Sequence, residues 1–176
     1  MVTIRSEQAG DVAGIAAVNS RAFGRDDEAR LVAALRASSE FIPALSLVAE
    51  DDGKVVGHIL FSPVTIHTPD GPRTALGLGP MAVQPERQGQ GIGSALVRHG
   101  LAACRNASAS IQIPAVVVVG HAGFYPRFGF VPARARGLEP PFPLADADWM
   151  VYELQPDALD GLSGRVSYPA PFDGVP

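Results

Sequence analysis

The run PERQGQGIGSALV, residues 85–97, decides how this sequence is read. Gly89, Gly91 and Gly93 occupy alternate positions, and an apolar pattern of helical period (Ile92, Leu96, Val97, Leu101, Cys104) begins inside the run. Glycine lets the backbone approach an anion without an obstructing Cβ and allows positive φ. The amides of a helix's first turn lack intrahelical partners, and the helix dipole adds a favourable partial charge. The run therefore predicts an amide cradle for phosphate over residues 89–94, with a helix of about 13 residues behind it. A ligand-free strand-to-helix turn is the plain structural alternative. The loop lacks the Lys-Ser/Thr ending of a P-loop and reads G-x-G-x-G rather than G-x-G-x-x-G. The next strand ends in His121 rather than an acid that would hold a ribose, so a dinucleotide fold is disfavoured.

Working outward, residues 74–83 (TALGLGPMAV) read as a strand with Pro80 inside it. Proline cannot donate to a sheet ladder and marks a bulge or an edge. Residues 114–120 (PAVVVVG) form a continuous β-branched run, the pattern of a strand covered on both faces. If these two strands are parallel neighbours, a bulge at Pro80 splays them. The unpaired groups in such a gap can pair with an amide-bearing chain as though it were a further strand. An elongated ligand with amides at one end and a pyrophosphate at the other is coenzyme A.

The other elements follow from periodicity and turn chemistry. Residues 2–5 alternate as a short strand, and Ser6 is a candidate cap for a helix whose face carries Val12, Ile15, Ala16, Asn19, Ala22 and Phe23. Asp26 or Asp27 opens a second helix with Leu31 and Leu35 on its buried stripe. Residues 45–50 and 54–66 pair across a DDG turn at 51–53, and 68–73 form another turn. Residues 106–110 are expected to break the helix behind the glycine loop; strands follow near Phe130 and at 148–154. The expected fold is α+β: a mixed, mostly antiparallel sheet flanked by helices, containing one β-α-β unit over 74–120 with a right-handed crossover. One domain is expected over 1–155, with 156–176, rich in proline and glycine, as an irregular tail.

Composition bounds the function. The 176 residues are 47% apolar and 18% charged, ordinary for one globular domain with a real core. No run approaches the roughly 20 apolar residues of a membrane span, and no secretory leader is visible at the N-terminus. Net charge is −4 with scattered basic residues, which argues against nucleic acid as the main partner. Cys104 is the only cysteine, so no intrachain disulfide or cysteine-based metal site is expected, and a reducing cytoplasm is the default setting.

At this point the sequence resembles the GNAT N-acyltransferase superfamily, and small bacterial predicted acetyltransferases within it. Gln88-Gly89-Gln90-Gly91-Ile92-Gly93 matches that family's Q/R-x-x-G-x-G/A loop. LGPMAV (78–83) resembles the strand before the loop, and FYPRFGF (124–130) the Y-x-x-x-G-F segment after the following strand. The resemblance covers about residues 2–155, and all three motifs fall in the family's order. It implies acetyl-CoA as co-substrate, no metal, and acetyl transfer to an amine of a small molecule or protein. Dimers are common in that superfamily, so a homodimer is one expected assembly.

By position, the resemblance implies that the amides of Met81 and Val83, with Ala82 between them, bind the pantetheine arm. The amides of Gly89, Gln90, Gly91, Ile92, Gly93 and Ser94 would hold the pyrophosphate, with Arg87 or Gln88 as side-chain contacts. Tyr125 matches the tyrosine that protonates the departing thiolate in many relatives. Relatives often carry a glutamate on the strand entering the loop, but residues 74–83 contain no carboxylate. His121 is then a candidate base or cofactor contact, since its ordinary pKa suits proton transfer near neutrality. Glu28, in the region that shapes the acceptor site of the superfamily, is the weaker candidate. A thioester is already activated, so Cys104 on the apolar helix face reads as a core residue rather than a nucleophile. A non-catalytic CoA-binding module is the alternative from another functional class.

Overall fold

The computed structural model describes residues 1–176. They divide into two compact units, Met1–Ser62 with Gly79–Ala103 and Ala170–Pro176, and Pro63–Leu78 with Cys104–Pro169.

In the first unit, β1 (Thr3–Ser6) pairs antiparallel with β2 (Ser46–Asp51), which continues through a hairpin into β3 (Lys54–Thr68). Asp52 and Gly53 turn the hairpin with φ of 48° and 75°, matching the right-handed twist of the strands they join. Consecutive side chains of β3 point to opposite faces. On one face, Leu60 and Val48 meet Ile15 of α1 (Val12–Phe23) and Leu31, Val32 and Leu35 of α2 (Asp27–Arg36). On the other, Phe61 lies against Gly100, and Gly57 against Ile92 and Leu96, of α3 (Ile92–Ile111). Each large apolar side chain buried this way contributes about 1.5–3 kcal/mol.

The face toward α1 and α2 also encloses a polar network. Arg36 donates to Glu7 (Nε–Oε1 2.8 Å), and Ser46 Oγ donates to the same carboxylate. His58 lies fully buried, with Nε2 3.0 Å from Ser46 Oγ and Nδ1 3.2 Å from Asn19 Nδ2. Since Asn19 Nδ2 also donates to Ile15 O, Nδ1 of His58 is the acceptor and Nε2 carries the proton. Burial lowers the His58 pKa to about 4, against a weaker opposing pull from Glu7. Burial also works against the Glu7 carboxylate, but bonds from Arg36 and Ser46 bring its pKa below the ordinary value.

In the second unit the strand order is β7-β9-β3-β4-β5-β8-β6, where β4 is Gly71–Val83, β5 Ala115–Val119, β6 Val131–Pro132, β7 Leu138–Glu139, β8 Trp149–Glu153 and β9 Gly164–Ser167. β4 and β5 are parallel, as their sequences predict, and their register is confined to Leu76↔Val116 and Gly77↔Val117. β5 and β8 pair antiparallel over Ala115–Val119. Val117, Trp149 and Val151 are fully buried there, and Trp149 Nε1 donates to Leu138 O at 2.9 Å. The sheet is thus mixed and mostly antiparallel.

Four expectations are corrected. Ser6 ends β1 and caps no helix; a short 3-10 turn (Ala9–Asp11) leads into α1, with Asp11 bound to Arg5 and to the amide of Gln8. Val12 and Phe23 are exposed rather than core, whereas Asn19 is buried. α3 continues to Ile111: propensity penalties for Asn and Ser are only tenths of a kcal/mol each, and Ser108 is buried against Gln155. Residues 156–176 are not irregular throughout, because β9 pairs with β3 through Thr65↔Ser167 to His67↔Arg165 and buries Val166. Phe172 and Val175 pack on the core beside α1 and α2.

Two outcomes follow. A Cβ on Gly100 would stand 2.4 Å from Cε2 of the fully buried Phe61. Gly100→Ala should therefore lose about 1–2 kcal/mol in chemical denaturation, since overpacking exceeds the roughly 1 kcal/mol gained in helix propensity. Stabilisation would show that the ring moves aside freely. His58 is depressed in the folded chain, so below the unfolded value near 6.5 the unfolded chain takes up a proton that the fold refuses. Stability should fall by about 2 kcal/mol from pH 7 to pH 5 and stop falling on this account below about pH 4, as urea unfolding would report. A flat profile over that interval would contradict the assignment.

Candidate functional site

The glycine run sits where β4 ends and α3 begins. Gln84 anchors its start, its N–H donating to Val56 O (2.9 Å) and its side chain to Val55 O (3.2 Å). A 3-10 turn over Pro85–Arg87 follows, then exposed residues 88–91. Gly89 and Gly91 hold φ of 74° and 85°, and a Cβ on either would meet nothing within 4 Å. Their conformation, not crowding, demands glycine, and the space beside them is open. The first intrahelical bond beyond the run is Ala95 N–H to Gly91 O at 3.0 Å. The amides of Ile92, Gly93 and Ser94 thus belong to the helix's unpartnered first turn. Such a row of donors, at the positive end of a helix dipole, is suited to a diphosphate.

The neighbouring side chains have other partners. Gln88 Nε2 donates to Val83 O at 3.1 Å, and Arg87 Nη1 to Asp51 Oδ2 at 2.8 Å. Ala82 and Val83 are buried and Met81 is half-buried at the end of β4.

Glu28 belongs to this same unit, in the first turn of α2. It is only 4% exposed, and Arg25 donates to both its oxygens, Nε to Oε1 at 3.0 Å and to Oε2 at 3.1 Å. Both carboxylate oxygens are therefore taken up by the one guanidinium.

Tyr125 and His121 belong to the other unit, past the end of β5. The Tyr125 ring is buried edge-on to Phe124 (5.0 Å) and Phe130 (5.5 Å). Gly120 makes room for it, since a Cβ there would stand 2.4 Å from the ring. Two buried side-chain atoms are enclosed without a partner, Asn19 Oδ1 and Ser62 Oγ, and the Tyr125 hydroxyl is not one of them. Burial pushes its pKa up to about 12, so the phenol keeps its proton at any physiological pH. His121 is exposed; its carbonyl accepts from the amides of Phe124 (3.0 Å) and Tyr125 (3.4 Å), closing the turn that seats Tyr125. Sequence reasoning missed Asp51, Gln84 and Gly120. The first two act through pairings between distant segments, and nothing local marks the third.

The chain matches the acetyltransferase (GNAT) domain over residues 3–133. It belongs to the GNAT acetyltransferase family. It is 42% identical to the uncharacterized N-acetyltransferase YjhQ of Escherichia coli over 158 residues, 86% of this chain and 84% of that one. It is 37% identical to the uncharacterized N-acetyltransferase YhbS of the same organism over 171 residues, 97% and 98% of the two chains. The structure of E. coli YhbS in complex with CoA superposes with a TM-score of 0.87 at 35% identity, over 97% of this chain and 91% of that one. A GNAT acetyltransferase of Brucella melitensis in complex with acetyl-CoA superposes at 0.78 with 37% identity, over 98% and 99%.

In this acetyltransferase Cys104 is fully buried, and burial pushes its thiol pKa up to about 12. A nucleophilic thiolate is therefore absent near neutrality. Cys104→Ala should leave turnover within about twofold of wild type and cost about 1 kcal/mol of stability for the lost packing. Loss of turnover in a folded variant, or acetylation of Cys104 detected by mass spectrometry, would oppose this.

Proposed function

We propose that the protein is an acetyl-CoA-dependent N-acetyltransferase in which an acceptor amine attacks the thioester directly. The observation that carries this is the pair of left-handed glycines, Gly89 and Gly91, opening α3 beside open space. A Cβ there would strain the loop and fill that space; without one, the 89–94 amides are free to hold a pyrophosphate. The amides of Met81 and Val83 lie beyond Gly77, where the parallel register of β4 with β5 ends, and we assign them to the pantetheine arm. The related complexes, YhbS with CoA and the Brucella melitensis acetyltransferase with acetyl-CoA, support the same ligand here.

The bond changes set what the residues must do. The amine lone pair forms an N–C bond to the carbonyl carbon, the C–S bond breaks, the amine loses a proton, and the sulfur gains one. We assign Tyr125 to the sulfur. With its pKa raised to about 12, against about 8.5 for an ordinary thiol, complete transfer from the phenol is uphill. Its main contribution is a hydrogen bond to the charge that develops on sulfur, and the phenol is fully protonated to give it. We assign proton acceptance to His121 or to solvent through it, because β4 carries no carboxylate and Glu28 is engaged by Arg25. Glu28 then shapes the acceptor wall. The net charge of −4 favours cationic acceptors, small amines or protein amino groups. A cytoplasmic setting agrees with a single free thiol.

The test is calorimetric titration with acetyl-CoA followed by an acceptor screen. Wild type should bind, and Gly91→Glu should lose binding. Tyr125→Phe should bind normally and turn over about 10- to 1,000-fold more slowly. Undiminished turnover in Tyr125→Phe would remove the tyrosine from the mechanism. Binding with no turnover for any amine would favour a CoA-binding module, and no binding at all would overturn the reading.

A further inference from the structure

A Cβ on Gly89 or Gly91 would meet nothing within 4 Å. Besides the anchors at Gln84 and Gln88, one chain of side-chain bonds reaches the middle of the loop. Arg87 Nη1 donates to Asp51 Oδ2 at 2.8 Å, and Arg87 Nε donates to Gln90 Oε1 at 3.2 Å. Gln90, the residue between the two glycines, returns its own Nε2 to Glu86 O at 3.2 Å. A carboxylate at the end of β2 is thereby tied, through one guanidinium, to the middle of the loop. Asp51 and Arg87 are 19% and 28% exposed, so the pair is shielded in part from solvent. Their alignment is what a planar guanidinium favours: one nitrogen on the carboxylate and another on the amide oxygen.

We propose that Asp51 is a positioning residue for the cofactor cradle, acting through Arg87 and Gln90. This rests on the reading of residues 89–94 as the pyrophosphate site. Arg87 is then a strut, not a phosphate ligand. One glycine flanks Gln90 on each side, and without the strut the loop samples shapes in which its amides diverge. Holding it in advance removes an ordering cost from binding. The opposite role for Arg87 predicts the opposite sign. If the guanidinium instead left Asp51 to meet phosphate, Asp51 would compete with the ligand, and removing its charge would tighten binding.

The experiment is titration with CoA, with steady-state kinetics, on wild type, Asp51→Asn, Asp51→Glu, Arg87→Lys and Gly91→Glu. Asp51→Asn and Arg87→Lys should each raise the CoA Kd and the acetyl-CoA KM about tenfold, with kcat at saturation within about twofold. Lysine keeps the charge but cannot bridge two acceptors with a planar fork. Asp51→Glu should recover most of the affinity. Both groups are partly exposed, so thermal unfolding of these variants should stay near wild type. Asp51→Asn binding as tightly as wild type or more tightly, or Arg87→Lys binding like wild type, would overturn the strut while leaving the cradle intact. Wild type and Gly91→Glu binding CoA equally well would overturn the cradle itself, and a wild type that binds no CoA would remove the cofactor reading with it.

Discussion

A row of backbone amides can face an anion only if no side chain fills the row, and much of this protein's site follows from that constraint. Left-handed φ at Gly89 and Gly91 turns the chain from β4 into α3 without placing a Cβ in front of the amides. The side chains that remain in the run are drawn back by other partners: Gln88 to Val83 O, Gln90 to Glu86 O, Arg87 to Asp51. α3 must then sit with its first turn at the loop, and its packing fixes this. Gly57 admits Ile92 and Leu96, and Gly100 admits Phe61. An open row of amides at one end of the helix and core packing along it are thus two consequences of the same placement.

The second unit meets a different demand, which is to seat one phenol with its ring buried. Gly120 gives the ring room, two aromatic edges hold it, and the turn closed on His121 O directs the chain. Burial keeps the phenol protonated, which suits a donor. The same physics makes Cys104 inert and keeps His58 neutral within its network. Burial therefore acts on three groups in one way, holding a phenol and a thiol protonated and an imidazole neutral.

Periodicity and glycine spacing made the central elements legible. The β-branched run at 115–119 predicted a strand covered on both faces, and β5 is one; Pro80 predicted interrupted pairing, and the β4–β5 register is short. Errors arose where a local signal competed with distant contacts. Ser6 has the chemistry of a cap but pairs in β1, and the polar residues after Arg105 stay helical with Ser108 buried against Gln155. The proline- and glycine-rich ending includes β9 because Val166 finds a buried place opposite Ile66.

The sequence by itself determined the family and singled out the 89–94 amides and Tyr125 as candidates, because glycine spacing and an aromatic motif are properties of neighbours along the chain. Tertiary structure alone decided which charged groups are available. Arg87 and Glu28 look equally free as letters, yet one is bound to Asp51, 36 residues earlier, and the other is buried where α2 begins and bound by Arg25. The reason is physical: a charge acts according to its partner and its burial, and for a residue such as Arg87 both are set by strands and turns that meet only when the chain folds.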